Sequence, residues 1–189
     1  HRGSEVYFRG LVEFSNICTS DCYYCGIRKG NNSVKRYMLS KEQILEAARF
    51  CAFHEYGSIV LQSGERTDPQ FIDFVEDVIR GIKSQTQSKS LPEGLGITLC
   101  VGEQTKETYR RFYEAGAHRY LLRVETTSQE LFSSIHPETQ ALSSRVSALK
   151  TLKETGFILG TGVMIGLPGQ TVENLADDIL FFKEVDADM

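Results

Sequence analysis

Cys18, Cys22 and Cys25 lie in the run Asn16-Ile-Cys18-Thr-Ser-Asp-Cys22-Tyr-Tyr-Cys25-Gly26, a C-x3-C-x2-C spacing. Thiolates are soft ligands, and three on one short segment can converge on zinc, copper(I) or an iron–sulfur cluster. Their neighbours Thr19, Ser20 and Asp21 are polar, which suits a loop better than three cysteines packed as small hydrophobes. A structural zinc site or an electron-transfer cluster normally closes its coordination with a fourth protein ligand, whereas a reactive centre keeps a position open. No fourth ligand is at hand. The first histidine after the motif is His54, Cys51 falls on an apolar helical stripe, and Cys100 lies on a strand far along the chain. The spacing favours an open metal centre and leaves a zinc-binding or electron-transfer module as the alternative.

Further groups able to do chemistry follow in order. Gln62-Ser63-Gly64-Glu65 comes directly after a short β-rich run and places a glycine between polar tips. Alternation along a strand puts Leu121, Arg123 and Glu125 on one face and the apolar Tyr120, Leu122 and Val124 on the other. The apolar set packs on helices, so Arg123 and Glu125 point the opposite way. Buried charges need partners, either each other or a ligand carrying both signs. Gly160 and Gly162 remove side chains from one strand face that Met164 continues, a pattern of close approach by a ligand or another backbone. Thr98 and Cys100 share a face of another strand, where they would line a substrate cavity, with Cys100 as an optional reactive thiol. Arg28, Lys29, Lys35 and Arg36 make the segment after the cysteines basic, a solvated loop or a docking face for an electron donor.

The elements that must position these residues alternate along the chain. Leu11, Val12 and Phe14 form a short extended run ending at Ser15-Asn16. Ser40 with Gln43 reads as a capping box before Ile44, Ala47, Ala48 and Cys51 at helical spacing, ending near Tyr56-Gly57. Ser58 to Leu61 is β-rich, and Asp68-Pro69 caps a helix with the stripe Phe71, Val75, Val78, Ile79 and Ile82. Ile97 to Val101 is the next strand, and a helix through Tyr109 to Ala115 closes at Gly116. Tyr120 to Val124, Val146 to Thr155 (stopped by Gly156), Phe157 to Ile165 and Thr171 to Val185 continue the strand–helix alternation. Five β-then-α units, with a sixth strand starting at Asp188-Met189, predict right-handed crossovers and a parallel sheet. The polar stretch from Ser84 to Ser90 joins a helix to the following strand, away from the face where barrel active sites form.

The cysteine spacing, with Tyr24 just before the last cysteine, resembles the radical S-adenosylmethionine (SAM) superfamily. Within it, Val12 through Cys18 and Cys25 through Arg28 resemble the HydE-type maturases of FeFe-hydrogenase. So do Leu61-Gln-Ser-Gly-Glu65, Arg119-Tyr-Leu-Leu-Arg123 with Glu125-Thr126, and Gly166-Leu-Pro-Gly-Gln-Thr171. Biotin synthase and methylornithine synthase are similar to a lesser degree. The resemblance implies a parallel α/β barrel of the radical SAM (TIM-like) type. It implies a 4Fe–4S cluster on Cys18, Cys22 and Cys25, whose fourth iron binds the amino and carboxylate groups of SAM. It further implies SAM contacts from Tyr24, the Gln62–Glu65 turn, Arg123 (carboxylate), Glu125 (ribose or methionine end), Gly162 and Met164. Arg145 lies where relatives place another ligand-facing arginine, with one extra residue between Gln140 and Ser144 blurring the match. The implied reaction is reductive cleavage of SAM to a 5′-deoxyadenosyl radical during assembly of the hydrogenase active-site cluster. The implied substrate is a small molecule or an iron complex. A ferredoxin or flavodoxin would supply electrons, and other hydrogenase maturation proteins are implied partners. A biotin-synthase-like or methylornithine-synthase-like reaction on an organic substrate is the alternative, although this sequence offers no second cysteine group for a sacrificial cluster.

Composition agrees with an enzyme of this kind. Hydrophobic residues make up 41% and aromatics 10% of the 189 residues, enough for a core and too much for disorder. A net charge of −4 disfavours nucleic-acid binding, and no apolar stretch approaches the ~20 residues of a membrane span. Five cysteines, an odd number, argue against a secreted disulfide scaffold, and such clusters need a reducing compartment, cytoplasm or an anaerobic organelle interior. A full eight-stranded barrel takes ~250 residues. The expectation is therefore one barrel domain over residues 1–189 with its closing strands absent, cut from a longer chain whose targeting peptide would be invisible.

Overall fold

A computed structural model describes residue 6 and residues 8–189. The elements run β1 (Arg9–Ser15), α1 (Lys41–Phe53), β2 (Ser58–Ser63), α2 (Pro69–Gln85), β3 (Gly96–Cys100) and α3 (Lys106–Ala115). They continue with β4 (Arg119–Leu121), α4 (Gln129–Ile135), α5 (Leu142–Thr155), β5 (Ile158–Gly160) and α6 (Val172–Glu184). The strands form one parallel sheet in sequence order, β1-β2-β3-β4-β5.

Register separates two faces. Val12, Leu61, Leu99, Tyr120 and Leu159 are aligned across all five strands, and each is at most 8% exposed. This row meets the helices, whose apolar stripes (Ile44 and Ala48 of α1, Val75 and Ile79 of α2, Phe112 of α3) complete the core. The adjacent row, Leu11, Val60, Thr98, Arg119 and Ile158, lies on the opposite face. Its ends stay open: Leu11 is 60% and Ile158 39% exposed. The two faces follow directly from the two-residue strand period.

The caps form where their residue types place them. Ser40 and Gln43 bond reciprocally at the start of α1, and Asp68 accepts from the Phe71 amide before Pro69. Gly116 and Gly156 close α3 and α5 at φ 114° and 101°, left-handed geometry that glycine adopts without steric cost. The strand expected over Tyr120–Val124 is shorter, ending at Leu121. The Val124 amide donates to the Thr161 hydroxyl instead of a neighbouring carbonyl, and the ladder resumes only at a Glu125–Val163 bridge. The strand expected over Phe157–Ile165 is likewise cut to β5. Leu122 and Val124 nevertheless stay buried with Arg123 exposed between them, so the alternation persists. Beyond α6, the Asp188 and Met189 amides donate to the Leu159 carbonyl and Thr161 donates to that of Met189, the start of pairing along the free edge of β5. The helix α4 went unanticipated, although Ser128 caps it and Leu131, Phe132 and Ile135 carry its stripe.

Candidate active site

The cysteine loop leaves the carboxyl end of β1 and crosses the carboxyl ends of the neighbouring strands, where parallel α/β folds build their sites. Thr19 donates from its amide and its hydroxyl to the Glu65 carbonyl, and the Tyr23 amide donates to the Ile135 carbonyl at the end of α4. Turns within the loop link Cys25 to Cys22, Arg28 to Cys25 and Lys29 to Ser20. All three thiols are half-buried and free. Burial pushes the Cys22 thiol up and the Arg145 charge opposes it, while the neighbouring Cys18 and Cys25 raise it further. The Cys22 thiol donates to Gln140 Oε1 at 3.2 Å. Among the described residues, no three His, Cys, Asp or Glu side chains gather closely enough to share one metal ion. A tetrahedral zinc site needs its ligands packed around one ion, whereas a cubane cluster gives each thiolate a separate iron. The donor set fits the cluster better than the ion.

Gly64 owes its identity to this loop. A Cβ there would stand 2.4 Å from the Ile17 carbonyl oxygen and 2.7 Å from Cys18 Cβ, so only glycine lets β2 and the cysteine loop meet. Glu65 next to it binds the loop from below, accepting from the Ser20 hydroxyl at 2.6 Å and the Glu103 amide at 2.7 Å. Gly102 (φ 77°) makes room for that carboxylate. Ser63 donates to the Gly64 carbonyl. Gln62 lies lower on the sheet and reaches Glu13 at 3.4 Å, apart from Glu65.

Tyr24 reaches inward to donate to Glu125 Oε1 at 3.2 Å, and its ring stands edge-on to His136. Glu125 is 5% exposed and adopts φ 68°, a left-handed geometry that costs a non-glycine residue roughly 1–2 kcal/mol. Bonds from the Glu125 amide to Gly162 and from the Met164 amide to Glu125 hold it there. Burial pushes the Glu125 carboxyl up, with the Arg123 charge acting against it. Its Oε2 is buried without any partner. A buried carboxylate oxygen without a partner keeps unused hydrogen-bonding capacity.

Arg123 and Glu125 form no ion pair, with each other or with any described residue. The buried pair is Arg145–Glu103, at 2.5 Å, and Arg145 also donates to the Arg123 carbonyl. Glu103, Gln140 and His136 escaped the sequence reading. Their only signal was position: Glu103 follows Gly102 just past β3, and the other two lie in the segment between α4 and α5. Gly162 opens onto space, with nothing nearer its Cβ position than Arg123 Cγ at 3.9 Å. Met164 packs on Leu131, Ile135 and Leu167. Thr98 is 3% exposed with an unpartnered hydroxyl, and burial pushes the Cys100 thiol up. A cavity of about 710 Å³ flanks the cysteine loop, lined in part by Ser20, Lys29, Glu65, Glu103, Gln140 and Ser144.

Comparison with known proteins agrees with this arrangement. The chain is 44% identical over 188 residues to the FeFe hydrogenase maturase subunit HydE of Thermotoga maritima, covering 99% of this chain and 51% of that one. It is 29% identical over 179 residues to the biotin synthase of Macrococcus caseolyticus, covering 92% and 51%. The crystal structure of methylornithine synthase (PylB) superposes with a TM-score of 0.83 at 25% identity, over 100% of this chain and 53% of that one. The chain thus spans about half the length of the curated relatives it matches. The family profile described as "Radical SAM superfamily" covers residues 12–182, from the β1 core through α6. With the three free thiols over a parallel sheet and this match along most of its length, the chain belongs to the radical SAM superfamily.

Proposed function

We propose that this chain forms the cofactor-binding part of a radical SAM barrel acting as a HydE-like maturase in assembly of the FeFe-hydrogenase active-site cluster. The observation that carries the reading is the loop of three free thiols, tied through Tyr24 to the buried Glu125 carboxylate with one oxygen unpartnered. Cys18, Cys22 and Cys25 would hold three irons of a 4Fe–4S cluster and leave the fourth for SAM. The chemistry such a cluster supplies is reductive cleavage of the sulfonium C–S bond to methionine and a 5′-deoxyadenosyl radical.

The chain's own residues bind and orient. Tyr24 occupies one oxygen of Glu125, so the other accepts from a ligand hydroxyl of the ribose or from the methionine end. Arg123, exposed on the inner face and without a protein counter-charge, is available to the SAM carboxylate. Glu65 fixes the loop from below through Ser20, Arg145 ties Glu103 to the Arg123 carbonyl just beyond β4, and the open space at Gly162 suits a flat ring. Thr98 and Cys100 lie deeper on the inner face, where a substrate would bind. Support for the maturase assignment is the 44% identity to HydE against 29% to a biotin synthase. The cluster requires a reducing compartment and a one-electron donor such as a ferredoxin or flavodoxin.

A hydrogenase maturation assay lacking only this component tests the assignment. Restored hydrogenase activity on adding the full-length protein is expected. Undiminished SAM cleavage with no restoration would remove the maturase reading and leave a reaction on an organic substrate.

A further inference from the structure

Arg36 belongs by sequence to a basic stretch, but its guanidinium turns inward. Nη1 donates to the carbonyls of Asn16 (2.6 Å) and Ile27 (2.8 Å), and Nη2 to those of Arg28 (2.7 Å) and Asn31 (3.2 Å). Asn16 lies two residues before Cys18 and Ile27 two residues after Cys25. One side chain therefore joins the entrance and the exit of the segment carrying all three thiols. The strand-like stretch bearing Arg36 is itself fixed to the end of β1. Ser15 bridges Met38, Asn16 Nδ2 donates to the Lys35 carbonyl, and the Tyr37 amide donates to Asn16 Oδ1. No ion pair among the described residues involves Arg36.

We propose that Arg36 is a positioning residue that closes the neck of the cysteine loop and sets a fixed, uncompensated positive charge beside the metal centre. Two physical features support this. A planar guanidinium presents its donors in a rigid fork, so four carbonyls converging on it fix the two chain ends relative to each other. Lysine offers charge without that fork. An unpaired cation near a cluster also favours the more negative, reduced state, because net charge around a cluster sets its potential. Reduction is the step SAM cleavage requires, so the same residue shapes the loop and eases electron entry. The electrostatic half rests on the cluster reading above; the neck-closing half does not.

Two variants of the full-length protein separate these halves. Arg36→Lys keeps the charge and loses the fork. In the metal-free protein, iodoacetamide should then label Cys18, Cys22 and Cys25 about tenfold faster, the equilibrium worth of one hydrogen bond to a charged group. Cys51, buried in α1, is the internal control and should keep its rate. Unchanged labelling of the three thiols, or equal acceleration at Cys51, would overturn the positioning role, since Arg36 would then serve no loop or the whole fold. Arg36→Gln removes the charge. Its reconstituted cluster should show a more negative midpoint potential in an EPR-monitored titration, while Arg36→Lys stays at the parent value. A potential unmoved in Arg36→Gln would refute the electrostatic half. A parent protein that takes up no cluster would instead defeat the proposed function, with the labelling result still standing on its own.

Discussion

The two ends of the sheet are built to different standards. At the amino ends, the turns entering the strands satisfy their own polar groups. The buried Thr86 hydroxyl donates to Ile82 and accepts from the Leu95 amide, and Gly116 and Gly156 close their helices with amides bonded back into the last turn. At the carboxyl ends, three acidic side chains (Glu65, Glu103 and Glu125) converge under a cysteine loop, one of them in left-handed geometry. The unpartnered buried atoms among the described residues belong to Thr98, Gln104, Glu125, His136 and Asp178, and none sits in an amino-end turn. One end completes the chain. The other holds spare hydrogen-bonding capacity, which is stable only when the surrounding structure enforces it or a ligand fills it.

Substitutions should respect that division. Cys22→Ala should abolish both cluster uptake and SAM cleavage while leaving the unfolding midpoint of the metal-free protein nearly unchanged; retained turnover would refute the ligand assignment. Leu99→Ala, in the centre of the row facing the helices, should cost about 2–5 kcal/mol by denaturant unfolding. A loss well below that would mean the central row is not the core. Glu125→Gln should weaken SAM binding by about 1.5–3 kcal/mol in calorimetry, the range for a hydrogen bond to a charged group. It should also change the pH dependence of stability. The Glu125 carboxyl is raised above its ordinary 4.5, so the folded state holds its proton more tightly and loses stability as pH climbs past that value. The variant should lack this decline, and parallel pH profiles would contradict it. Thr86→Val, at the amino end, should cost about 1–3 kcal/mol by stranding the Leu95 amide, with cluster content unaltered.

Much of this division was legible in the residues. The caps at Ser40 and Asp68, the glycine stops and the alternation about Arg123 are local patterns, and local patterns survive folding. The inner-face placement of Thr98 and Cys100 followed from the same two-residue period. What escaped was set by chain crossings. Nothing in the local sequence marked Gly64 as the place where Ile17 and Cys18 lie against β2, because the loop that brings them there returns from β1. Arg36 read as one of several exposed cations because its carbonyl partners carry no side-chain signature. The pairing of Arg145 with Glu103 joins residues from different β/α units, and α4 was hidden because seven residues give a stripe too short to stand out.

In the proposed function, the three thiols on the carboxyl-end loop hold a cluster that cleaves SAM. Anaerobic reconstitution of the full-length protein with iron and sulfide, followed by dithionite and SAM, tests it most directly. A 4Fe–4S EPR signal that changes on adding SAM, together with formation of 5′-deoxyadenosine, is expected. Stoichiometric zinc in the purified protein, no cluster on reconstitution and no cleavage product would contradict it.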